Sequence, residues 1–403
     1  MNVYYEAAIW IAMALVSALV ALRLSAPVAL AEIVVGALAA NIPGVKEHVS
    51  HVAFVAFLAA GGSLLLTFLA GAEIDPVALR RSWRKSLLVG LATFAVPFAT
   101  TFVICHDVLG WHLRAAELGA IALSTTSVAV IYAVLIETRL TRTELGTLLL
   151  AGCFFSNLAT VLALGGFFAA FGWRLALLAG LSVLAVVVLP RLLRRVLERG
   201  GERLSEPEVK FLLVVLFALG GLAVAAGTVA VLPAYLVGLA VAGPFVASRA
   251  LLDRVRSVAF ALFTPFFFLE AGTLVSAHVL VTSAGAIGLL LVVKLGSKML
   301  GTWPAITAAG VRGRARTYTT LLFASGLTFG LIAALFGREH HVVSATQYTV
   351  LTAVIVLSAI LPTALAQQLF RPAMVDEDEE RALGAQDLVT FRRPPVVEDD
   401  TSP

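Results

Sequence analysis

The chain has 403 residues, 60% of them hydrophobic and only 13% charged, with a formal net charge of +4. Soluble globular domains carry about a quarter charged residues, so a soluble enzyme or a nucleic-acid partner is not expected. The long apolar runs lack the ten-residue alternation of a barrel, and the composition implies an all-α polytopic membrane protein whose immediate surroundings are lipid.

Apolar runs bounded by charged or Gly/Pro-containing turns predict thirteen spans, at 2–22, 26–42, 51–74, 86–105, 114–137, 143–171, 173–190, 208–227, 231–248, 258–276, 278–303, 316–336 and 342–370. The first carries Glu6 and no basic leader, so it reads as a span and not as a signal peptide. Glu32, on the short second span, is a candidate for an ion pair at the domain interface, whereas Glu73 and Asp75 end the third span and read as a solvated helix end or a funnel lining. The fifth span contains Ser124-Thr125-Thr126-Ser127, and the sixth carries Cys153, Ser156 and Asn157. Glu270 lies inside the tenth span and Lys294 deep inside the eleventh. Lys298, one turn further on, is expected to snorkel toward the membrane surface. The twelfth span holds Ser325-Gly326-Leu327-Thr328. Beyond the membrane domain at 1–372, residues 373–403 are acidic, Pro-containing and too polar to bury a core, so a disordered tail is expected there.

Charge orients the spans. Alternate loops place 23 Lys and Arg on one side and only Lys46, Arg114, Arg174 and Arg338 on the other. The positive-inside rule then predicts an inner or plasma-membrane protein with its N-terminus outside and its C-terminus cytoplasmic. Two isolated cysteines and histidines confined to loops and span ends give no metal or cofactor spacing, and no catalytic residue is assigned.

Two internal matches share one offset. TFLAGAEID (67–75) aligns with FLEAGTLVS (268–276), placing Gly71 over Gly272, and ALSTTSVAVIYAVL (122–135) aligns with FASGLTFGLIAAL (323–335), placing Ser124 over Ser325. An odd number of spans separates the members of each pair, so the halves are expected to be inverted repeats, with interrupted helices at the two Ser/Thr clusters. A cluster standing alone reads more simply as hydroxyls bonded back to their own helix. Recurrence at one offset favours interruption.

An ionisable group at the depth of Lys294 costs ~2.5–3.5 kcal/mol on insertion scales, which marks it as an ion-pathway residue or one half of a structural pair. The expected acidic partner on the sixth span is missing, because that position reads Ser156-Asn157.

Together the segments APVALAEIVVGALAANIPG (26–44), TFLAGAEIDP (67–76), ALSTTSVAVIYAVLIETRLTRTELG (122–146), TPFFFLEAGTLVS (264–276), VVKLGSKMLG (292–301) and LTFGLIAALFG (327–337) resemble the cation:proton antiporter family of the sodium/hydrogen exchanger fold, in its bacterial Kef/Nap-type branch. The resemblance implies a homodimer of thirteen-span protomers, each with a dimerisation bundle and a mobile core in which two interrupted helices, here 114–137 and 316–336, cross. It implies exchange of a monovalent cation, Na⁺ or K⁺, for a proton. The ion-handling positions would be Thr125, Thr126, Ser156, Asn157, Lys294, Ser325 and Thr328. The chain departs from the family at Asn157, where relatives usually keep a carboxylate, and at Glu270, where lysine is usual. Asparagine keeps a carbonyl ligand but exchanges no proton near neutral pH. Three readings follow: antiport with the acid relocated to Glu270, an anion transporter using Lys294, or a transport-inactive member, either serving as sensor or partner or trapped by an acid-to-amide change.

Overall fold

The computed structural model describes residues 3–370 apart from 25–26, 43–52, 74–75, 139, 141–142, 169–171, 201–205, 227 and 229. The expected acidic tail and Asp75 lie outside the described residues.

Described residues form α-helices at Val3–Leu24 (α1), Val28–Asn41 (α2), Ala53–Ala72 (α3), Pro76–Val103 (α4), Leu113–Ser124 (α5), Val128–Glu137 (α6), Glu144–Phe168 (α7), Trp173–Gly200 (α8) and Pro207–Ala225 (α9). The second half follows with Val231–Ala247 (α10), Arg249–Val258 (α11), Thr264–Thr273 (α12), Ala277–Thr282 (α13), Ala284–Ala308 (α14), Gly313–Ala324 (α15), Thr328–Glu339 (α16) and Ala345–Leu369 (α17). Ten helical segments are long and apolar enough to cross a membrane, and Val28–Asn41 and Val231–Val246 are shorter apolar helices. Ten long segments and two shorter helices among the described residues do not confirm the expected total of thirteen.

Several boundaries differ from the sequence expectation: α4 and α8 take in the basic stretches 80–85 and 191–199, expected as loops. Residues 249–256, expected as a basic loop, are helical, because Leu251, Leu252 and Val255 line up on one buried face while the charges turn outward. A π-type turn, Ala259–Phe263, carries this helix on into α12. Ala277–Thr282 is a separate short helix capped by the Ser276 side chain, so the eleventh span starts later than expected.

Glycine fixes the closest packing. α2 lies along α12 and α10 lies along α3. A side chain at Gly36 would collide with the Leu269 carbonyl and one at Gly272 with the Ile33 carbonyl; at Gly71 it would meet the Tyr235 carbonyl, and at Gly238 the Phe68 carbonyl. Each contact is therefore a reciprocal glycine pair that lets two backbones touch. Gly71 and Gly272 share the offset of the two sequence matches, and Gly36 and Gly238 lie one residue further apart.

The helices sort into two groups by what they touch. α1–α3 pack with α8–α12, while α4–α7 pack with α14–α17. Tyr235 on α10 spans the seam, stacking on Phe154 and donating its hydroxyl to the Phe154 carbonyl of α7 at 3.2 Å. At one end of the seam Tyr348 donates to the Ala271 carbonyl at 2.8 Å, and the Ser276 N–H donates to the Thr349 hydroxyl at 3.3 Å. Glu73, expected to be solvated, is ion-paired with Arg256 at 2.9 Å and ties α3 to α11. Glu32 is buried on α2 but makes no ion pair with a described residue, unlike the interface pair expected of it.

Forcing a side chain into these backbone contacts costs about 1–3 kcal/mol each. Gly238→Val and Gly272→Val are each expected to lower the melting temperature in detergent, while Gly180→Ala, with nothing within 4 Å of its added methyl, leaves it unchanged. Parent-like melting of Gly272→Val would contradict the close contact.

Candidate functional site

Both expected interruptions are present. α5 ends at Ser124 and α6 starts at Val128; α15 ends at Ala324 and α16 starts at Thr328. Hydroxyls next to the breaks turn back on their own helix: Ser124 donates to the Ala120 carbonyl, Thr125 to Ala122 at 3.1 Å and Ser325 to Leu322 at 2.6 Å. Such bonds offer the backbone an alternative to the helical ladder. Thr125 and Ser325 consequently take extended conformations, with ψ of 158° and 121°. The two extended pieces then meet. Ser127 donates its N–H to the Ser325 carbonyl at 2.8 Å, and Thr126 donates its hydroxyl to the Phe323 carbonyl at 3.1 Å.

Lys298 closes this crossing from α14. It does not snorkel: it is fully buried, and its Nζ donates to the Ser124 carbonyl at 2.7 Å and to the Thr126 hydroxyl at 2.9 Å. The Ser124 carbonyl belongs to the C-terminal end of α5, which carries negative partial charge, so an ammonium is favoured there. Thr126 is saturated by this arrangement, giving one bond and accepting from Lys298 and, at 3.4 Å, from Ser156. The sequence signal for Lys298 was its four-residue spacing from Lys294, which puts both on one helix face.

Lys294 differs in kind. Fully buried, its Nζ has no hydrogen-bond partner among the described residues. It abuts Gly326, where an added Cβ would stand 2.7 Å from Lys294 Nζ, 2.7 Å from the Thr125 carbonyl and 3.0 Å from the Thr125 hydroxyl. Neither Glu270 nor a helix carbonyl receives it.

Asn157 is also fully buried, with Nδ2 pointing 3.7 Å from Cys153 Sγ and Oδ1 unpartnered. Cys153, which no motif singled out, reaches the Thr126 carbonyl at 3.7 Å. Ser358, one repeat offset beyond Asn157, donates to the Gly326 carbonyl at 3.4 Å from α17. Thr328 is half-buried as the first residue of α16. The crossing thus brings together Thr125, Thr126, Ser325, Ser156 and Asn157 with both lysines, and Thr328 borders it. Glu270 does not join them: its helix packs on α2 and α3, and the charge acting on it is Glu339. The three buried acids, Glu32, Glu117 and Glu208, lie on α2, α5 and α9, and Glu117 is paired with Arg114 near the start of α5. Among the described residues no carboxylate faces the crossing.

Comparisons with known proteins point to one family. A family model described as "Sodium/hydrogen exchanger, transmembrane" matches residues 11–370. The "Probable Na(+)/H(+) antiporter 3" of Methanocaldococcus jannaschii is 25% identical over 356 residues, covering 85% of this chain and 89% of that protein. "Cation/H(+) antiporter 18" of Arabidopsis thaliana is 28% identical over 335 residues, which are 77% of this chain but 41% of the plant protein. Among solved structures, the sodium proton antiporter MjNhaP1 from Methanocaldococcus jannaschii at pH 8 superposes with a TM-score of 0.67 at 15% identity, covering 91% of this chain and 98% of that one.

The two lysines should respond oppositely to removal. Lys298→Met deletes two hydrogen bonds from a charged donor, worth about 1.5–3 kcal/mol each, and is expected to lower the melting temperature. Lys294→Met replaces an unpartnered buried charge by an apolar chain of similar length and is expected to keep or raise it. The two variants are melted in one detergent buffer; equal destabilisation by both changes would contradict the assignment.

Proposed function

Since the chain belongs to the sodium/hydrogen exchanger transmembrane family, we propose that it is a secondary-active monovalent cation/proton antiporter, carrying Na⁺ or K⁺, in which the exchanging proton rides on Lys294 and not on a carboxylate. The observation that carries this reading is a pair of orphans in one crossing: an acceptor, Asn157 Oδ1, and a donor, Lys294 Nζ, both fully buried and without partners among the described residues. The acceptor suits a cation. Neutral oxygens of Thr125, Ser156, Asn157, Ser325 and Thr328 supply its ligands, and the hard, oxygen-only character of that set matches an alkali-metal ion.

Coupling then arises from repulsion. Two unit charges ~6 Å apart at an effective dielectric of ~20 repel by about 3 kcal/mol, close to a hundredfold in affinity. A bound cation and an ammonium at Lys294 therefore exclude each other, so cation entry expels the proton. Either occupant leaves the crossing with the same total charge, and exchange is one for one. Lys298, held by the Ser124 carbonyl and Thr126, braces the crossing and takes no part in the exchange. The seam at Tyr235 gives the second helix group a surface on which to move relative to the first. The protein acts in the plasma or inner membrane, N-terminus outside and C-terminus cytoplasmic, following the asymmetry of its basic residues, and as a homodimer, following its resemblance to the family.

The Asn157 amide also favours a second reading, a member of the family that has lost transport. Proteoliposomes loaded with a pH dye and assayed in chloride salts separate the two. Sodium or potassium addition should collapse an imposed pH gradient, Lys294→Met should abolish the response, and Glu270→Gln should leave it intact. A response that survives Lys294→Met would sink the lysine mechanism. No response in the parent, with activity gained in Asn157→Asp, would identify the inactive member.

A further inference from the structure

The side-chain amide of Asn157 has two ends of nearly the same shape and opposite chemistry, and only one of them suits a cation. Turned with Oδ1 toward the crossing, it offers an acceptor; turned about, it presents N–H donors that repel a positive ion. A neighbour of fixed polarity must choose between the two, and the structure places Cys153 there, one turn earlier on α7. Asn157 Nδ2 donates to Cys153 Sγ at 3.7 Å, and Sγ donates to the Thr126 carbonyl at 3.7 Å. A carbonyl only accepts, so the thiol proton belongs to Thr126 and the sulfur lone pairs are left to face Asn157. They take the donor end of the amide, and Oδ1 is the end without a partner among the described residues. Thr126 is a firm anchor for this relay. It lies in the break between α5 and α6, where its hydroxyl donates to the Phe323 carbonyl and accepts from Lys298. All three members of the relay are buried, so bulk water does not compete for their bonds.

We propose that Cys153 is a positioning residue for cation binding: its thiol, oriented by the Thr126 carbonyl, holds the Asn157 amide with the carbonyl oxygen toward the crossing. The orientation stands on hydrogen-bond polarity alone; that Oδ1 then meets a cation rests on the antiport reading. An amide at 157 needs such a guide. A carboxylate there, with two equivalent acceptor oxygens, does not.

The test uses that difference. Cys153→Ala removes the polar link, and Cys153→Ser, larger than alanine by a single oxygen, keeps a hydroxyl that donates and accepts in the same sense. In proteoliposomes Cys153→Ala is expected to raise the KM for sodium by about tenfold with kcat held within about twofold, as weakened substrate binding does, and Cys153→Ser to recover most of the loss. In the Asn157→Asp background Cys153→Ala is expected to leave the KM unchanged. An equal rise in both backgrounds marks a packing role and overturns the proposal. A second readout needs no transport. Asparagine occurs only as Asn2, Asn41 and Asn157, so labelling asparagine alone with ¹⁵N gives three side-chain amide signals, and the one missing from Asn157→Asp identifies Asn157. That signal is expected to be single and sharp in the parent and in Cys153→Ser, and to broaden or divide in Cys153→Ala as the amide turns between its two orientations. A signal that stays single and sharp in Cys153→Ala overturns the proposal. Should Cys153→Ala fail to fold, Cys153→Val, which fills the space without a polar atom, takes its place with the same expectations. An Asn157 signal that divides in Cys153→Ala, in a protein whose parent exchanges nothing, supports the positioning and counts against the antiport reading alone.

Discussion

The hydrogen bond from the Ser127 N–H to the Ser325 carbonyl is the contact on which the rest of the architecture turns. A membrane interior has no water to satisfy broken backbone, so two interruptions at depth are tolerable only if each supplies partners for the other. Here they do, and Lys298 takes up a carbonyl left over on α5. The polar centre is therefore first a solution to a backbone problem. Ion chemistry occupies what that solution leaves unpaired, namely Asn157 Oδ1 and Lys294 Nζ.

Much of this was legible in the sequence because its causes are local. Hydroxyl clusters at 124–127 and 325–328 compete with helical bonding wherever they occur, and their common offset betrayed the repeat. Lys294 was visible from depth alone. Half of the glycine grip was visible as Gly71 over Gly272, whereas Gly36 and Gly238 are displaced by one further residue and escaped the alignment. The basic stretch 249–256 looked like a loop because its arginines hid an apolar face that only packing reveals.

What was not legible depends on which way a buried group points. Hydropathy places Lys298 one turn from Lys294, near enough to a span end for snorkelling, and only the fold shows the Ser124 carbonyl waiting for it. Glu270 looked like a relocated acid because it lies inside its span. Its helix faces α2 and α3, and its charged neighbour is another acid, Glu339. The amide at 157 announced a missing charge but not its consequence, which is a crossing with two lysines and no described carboxylate.

The central claim is that cation and proton compete through the charge of Lys294. It is tested most directly by adding sodium to the purified, weakly buffered protein and recording the protons released. The account expects about one proton per cation bound, with cation binding retained but proton release lost in Lys294→Met. Undiminished release from Lys294→Met would place the exchanging proton on another group and contradict the account.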